Sequence, residues 1–140
     1  MEKKMAEYEC VEKGILLTFQ ELMLLLQSVG VQYMNGFYRA EGEISDQEVL
    51  FLTESLVKKG VLIAAEQEFF LDDTVEAMLR CMGWPDEDYE LEQENAVVYC
   101  YERSEKVLVT KIYSMKENTL ELVLYSKEEF QRRIRKEETL

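Results

Sequence analysis

Histidine is missing from this 140-residue chain, and proline occurs once. The first absence removes imidazole acid-base chemistry, Ser-His-Asp and Cys-His catalysis, and the zinc motifs built on histidine. Positive charge is scarce as well: 16 Lys and Arg stand against 29 Asp and Glu, a net charge of −13. Non-specific affinity for DNA rests on neutralising phosphates with basic side chains, so this balance argues against a polyanionic ligand. Cysteine is limited to Cys10, Cys81 and Cys100, an odd number with no CxxC pair, which argues against a secreted disulfide framework and for reduced thiols. The six glycines stand singly, so there is no glycine-rich phosphate loop. Apolar runs such as 22–26 fall far short of a membrane span. Glu7, Glu9 and Glu12 interrupt the stretch that a signal peptide would keep apolar. A cytoplasmic location is the expectation.

With 47% hydrophobic and 32% charged residues the chain has a globular composition. It is long enough to build a core without metal or disulfide. Its charge is uneven: 41–105 carries 18 acidic and four basic side chains, whereas 106–140 carries six acidic and eight basic. A basic protein surface is a better counterpart for the acidic middle than a duplex is.

Two capping boxes organise the first half. Thr18 and Glu21 open a helix whose Leu22, Leu25, Leu26 and Val29 recur at helical spacing before Gly30 ends it. Ser45 and Glu48 open a second, with Val49, Leu52, Leu56 and Val57 as its apolar stripe and Lys58, Lys59 and Gly60 at its end. A short strand, 14–17, leads into the first helix. Residues 61–63 and 69–71 have the spacing of a compact hairpin. Asp72 or Asp73 caps a third helix that buries Val75, Met78, Leu79 and Met82 and stops at Gly83-Trp84-Pro85. Beyond Pro85, the likeliest joint, 96–102, 107–114 and 120–125 are rich in Val, Tyr and Leu and read as an antiparallel meander. A helix from Lys127 closes the chain, with Glu128 and Glu129 four residues before Arg132 and Arg133.

Reactive constellations are few. Cys81 and Cys100 sit among apolar neighbours, where buried thiols are inert. Asp72-Asp73 reads as a helix cap and Asp86-Glu87-Asp88 as a solvated turn, neither having the alternating spacing of a calcium loop. No catalytic residue, cofactor or metal ligand is assigned. Between the first two helices, Tyr33, Met34, Phe37 and Tyr38 crowd an aromatic connection, a composition enriched where proteins meet. These four are the candidate partner-binding residues.

The helix opening Leu17-Thr18, Glu21-Leu22, the Leu-Val-Lys-Lys-Gly-Val-Leu segment at 56–62, the third-helix ending Leu79-Arg80-Cys81-Met82-Gly83-Trp84-Pro85, and the meander with its terminal helix together resemble the EspG family. The similarity covers most of 14–136. Members of that family are cytosolic chaperones of type VII secretion that keep helical-hairpin substrates soluble before export, and they are built from two related halves. The resemblance therefore implies a chaperone that supplies one half, with a homodimer rebuilding the pair about a two-fold axis.

The expected architecture is α+β: a winged-helix-like subdomain, residues 1–85, followed by a three-stranded antiparallel meander and C-terminal helix, residues 86–140, in one compact domain. The expected function is a non-enzymatic, cytoplasmic adaptor or chaperone that binds a protein partner, with neither nucleic acid nor membrane as ligand. The alternatives are a winged-helix transcription regulator on DNA and a carboxylate-based enzyme in which Asp72, Asp73 and Asp86 converge.

Overall fold

A computed structural model describes residues 13–31, 45–93, 96–114 and 116–135. Along the chain run β1 (Lys13–Thr18), α1 (Phe19–Ser28), α2 (Asp46–Lys58), β2 (Leu62–Ala65), β3 (Glu68–Leu71) and α3 (Asp73–Gly83). There follow β4 (Glu87–Gln93), β5 (Ala96–Arg103), β6 (Lys106–Ser114), β7 (Thr119–Ser126) and α4 (Lys127–Phe130), which continues as a π-helical turn, Gln131–Arg135. The fold is α+β.

Both capping boxes form. The Thr18 backbone N–H donates to Glu21 Oε1 at 2.9 Å while Glu21 N–H donates to Thr18 Oγ1 at 3.1 Å, and Ser45 and Glu48 repeat the exchange at 3.1 and 3.2 Å. Asp72 is the cap of α3, accepting from the Thr74 and Val75 N–H groups. At the end of α2, Gly60 takes φ +79°, its N–H bonds the Val57 carbonyl and the next N–H, of Val61, bonds that of Leu56. This is a Schellman closure, with buried Val61 against buried Leu56 as its apolar seal. Gly30, at φ +85°, closes α1 the same way. Gly83 is glycine for a different reason: a Cβ there would run into the Val31 side chain.

The three expected meander strands are present and belong to a larger sheet of five, in the order β1-β7-β6-β5-β4, antiparallel throughout. β1 joins the meander at β7, with Ile15 opposite Leu122 and Leu17 opposite Leu120. β4 occupies the stretch begun by the expected solvated turn. Five of its seven residues are polar, but Tyr89 and Leu91 alternate inward to pack under the sheet. The intervening carboxylates line this edge strand with charge, a pattern that disfavours pairing with another strand edge.

Because β5 to β7 alternate apolar side chains to both faces, each face needs a cover. Tyr101, Leu108, Leu120, Leu122 and Leu124 join Leu17 and the buried faces of α1, α2 and α3 in the main core. α3 lies across β5, β6 and β7, and α1 packs against α2 and α3. Residues on both sides of Pro85 contribute to this core. On the other face Val98, Cys100, Val107, Val109 and Tyr125 pack with Phe130 of α4. Ser126 caps α4, and buried Glu129 is ion-paired with both Arg132 and Arg133.

Candidate partner-binding surface

Tyr33, Met34, Phe37 and Tyr38 lie outside the described residues. Within the described residues, bulky apolar side chains remain in solvent on α2 and on the hairpin that follows it. Leu52 and Leu56 bury the inner side of α2. At about 100° per residue, Leu50 and Phe51 fall outside that stripe and straddle Glu54 on the opposite side. They are 67% and 71% exposed.

The β2–β3 ribbon adds to them. Leu62 is paired with Leu71, and both pack against the core. Opposed residues share a face and neighbours alternate, so the next pair, Ile63 and Phe70, points away from the core. Phe69 returns to the inner face beyond the reach of the core, leaving Phe69 and Phe70 57% and 51% exposed. Two consecutive phenylalanines in a four-residue strand cannot both point inward; that was the signal in the sequence for an apolar outer surface.

The surroundings are acidic. Asp46, Glu48 and Glu54 on α2 and Glu66 and Glu68 at the hairpin tip are exposed. Lys58 is the only cation of α2, and no Lys or Arg lies between Gly60 and Leu79. Glu66 holds φ +57°, a left-handed conformation that glycine enters far more easily, so a carboxylate stands where the turn geometry favours no side chain at all.

Lys59 does not offset this acidity, because it is committed inward. Its ammonium contacts Glu21 Oε1 at 2.6 Å and donates to the Leu16 carbonyl at 3.1 Å. Ser55 Oγ donates to Glu21 Oε2 at 2.6 Å. Burial pushes the Glu21 carboxyl up, but the hydrogen bonds from Lys59, Ser55 and the Thr18 N–H, with the ammonium charge, outweigh it and hold the group below its ordinary value. With both oxygens engaged, this cluster joins α1, α2 and β1 and presents no free base.

Other titratable groups are placed equally structurally. Burial pushes the Cys81 thiol up to about 11 against the opposing pull of Arg103 and Lys106, so it is not a nucleophile at neutral pH. Asp72 caps one end of α3 while Asp86 lies past the other, where it accepts from the Ser104 N–H. An 11-residue helix keeps such ends about 16 Å apart, so Asp72, Asp73 and Asp86 do not converge. Among the described residues no buried side-chain polar atom lacks a partner, and no three metal-ligating side chains come together. No helix among them is long and apolar enough to cross a membrane.

The fold and this surface define an α+β domain with an acid-framed apolar face on a helix–hairpin unit. No family model, curated protein or solved structure matches the chain.

Proposed function

We propose that this chain is a non-enzymatic cytoplasmic adaptor or chaperone that binds a protein partner. The observation that carries the reading is the exposure of Leu50, Phe51, Ile63, Phe69 and Phe70 on one helix–hairpin unit. Each of the three phenylalanines leaves more than half of its surface in solvent, and bulky apolar exposure concentrated on one unit marks interaction sites. Burial of such side chains supplies affinity, and the acidic frame steers the encounter. In its finer form the proposal is a homodimeric chaperone for helical substrates of type VII secretion.

The helix–hairpin order, α2 followed by β2–β3, favours a second reading, a winged-helix regulator that lays α2 on DNA. Against it stands the outward face of α2, which offers Asp46, Leu50, Phe51 and Glu54 to a polyanion with Lys58 as its one cation. Affinity capture from the native host, followed by reconstitution with the purified partner, tests the adaptor. A stoichiometric protein complex is expected. Failure to reconstitute one, with strongly salt-dependent retention of duplex DNA in a gel shift, would transfer the function to the regulator.

A further inference from the structure

The helix–hairpin surface has a partner chemistry written into it. We propose that α2 and the β2–β3 ribbon form the docking face for a basic amphipathic polypeptide segment, one that carries bulky apolar side chains flanked by Lys or Arg; this rests on the adaptor reading and names its surface and ligand class. Two features of the molecule specify that ligand. The outward Ile63–Phe70 pair is followed toward the tip by Ala65 opposite Glu68 and then by Glu66, so the ribbon grades from apolar to acidic along its length. On α2 the same juxtaposition is built around the helix, with Leu50 and Phe51 on either side of Glu54. A ligand that covers the apolar side chains must bring its neighbours against carboxylates.

Cationic neighbours meet that demand and acidic ones do not. A second copy of the chain would set Glu54, Glu66 and Glu68 against their own kind, and a duplex would set phosphates there; like charges across an interface are repelled. The hydrophobic contribution is not screened by salt, whereas steering by exposed carboxylates is screened over about 8 Å at physiological ionic strength. Binding therefore weakens with salt without vanishing.

The test uses the full chain and two labelled synthetic peptides: an amphipathic helix with lysines along one face and leucines along the other, and a twin with glutamate in place of every lysine. Fluorescence anisotropy is read at low and high salt for the wild type, for Phe51→Ser with Phe70→Ser, and for Tyr113→Ser, which alters an exposed aromatic on the large sheet. The lysine peptide is expected to bind, the glutamate twin not, with affinity about thirty-fold weaker in the double variant and unchanged in Tyr113→Ser. Hydrogen exchange on the wild-type complex supplies an independent readout: added protection is expected in Asp46–Lys58 and Leu62–Leu71. Equal binding of both peptides, undiminished binding by the folded double variant, or protection located elsewhere overturns the proposal. Loss of the adaptor reading has a different signature, the absence of any reconstituted protein complex from the native host. A native partner that binds the double variant undiminished removes this surface while leaving the adaptor function in place.

Discussion

Lys59→Met removes the ammonium from the Glu21 cluster while keeping most of the side-chain stem. Glu21 is 1% exposed and Lys59 35%, so the carboxylate has no water to turn to, whereas the lost lysine is partly solvated in the native state. Stranding one partner of a fully buried pair costs 3–5 kcal/mol; partial solvation of Lys59 lowers the expected loss to about 2–3 kcal/mol. The bond to the Leu16 carbonyl disappears as well. Glu21→Gln in the same background removes the unpaired charge yet keeps an acceptor for the Thr18 N–H, so the double variant recovers much of the loss. The pH dependence gives a second signature. In the wild type the carboxyl titrates below its unfolded value near 4.5, so its contribution is present above that pH and is lost as pH falls through the lower folded value. Without the ammonium, burial is opposed only by the Ser55 and Thr18 bonds, so the folded value rises from its wild-type position and Lys59→Met loses less stability on acidification than the wild type. Urea unfolding of the four proteins of the cycle, at neutral pH and near pH 4, measures both effects. A loss under about 0.5 kcal/mol, or strict additivity of Glu21→Gln and Lys59→Met, would refute the reasoning.

Gly83→Ala is expected to destabilise by about 1–3 kcal/mol by forcing Val31 aside, with Val31→Ala restoring part of the loss in the same unfolding assay. Phe51→Ser and Phe69→Ser, which truncate exposed side chains, should change stability by less than about 0.5 kcal/mol while weakening partner binding; a loss above about 2 kcal/mol would show that these rings are buried in solution. At neutral pH, Cys81 and Cys100 should be alkylated only as fast as the protein unfolds, as followed by mass-spectrometric mapping, and rapid modification of folded Cys81 would contradict its burial.

Local signals carried much of the fold. Thr18 with Glu21 and Ser45 with Glu48 announced two helix starts, and Gly30 and Gly60 their ends, because capping is decided by residues within a single turn. Tyr101 and Cys100, neighbours in β5, serve opposite faces, as strand alternation requires. β4 was hidden because carboxylates fill its solvent positions and only Tyr89 and Leu91 betray the period. The seating of β1 beside β7 was illegible for another reason: about a hundred residues separate Leu17 from Leu120, and no local pattern encodes that pairing. At the candidate surface, composition singles out the aromatic connection at 33–38, whereas Leu50, Phe51 and the Phe69-Phe70 pair stand out only by their place in the period. Their exposure follows from helical and strand periodicity once the buried stripe is drawn.

Position-specific photo-crosslinking in the native host reaches the central claim most directly. With a photoreactive residue at Phe51 or Phe70, the account predicts a discrete adduct to a polypeptide through a segment rich in Lys or Arg, with none from Tyr113. Adducts to nucleic acid from position 51 or 70, or an equal polypeptide adduct from Tyr113, would contradict it.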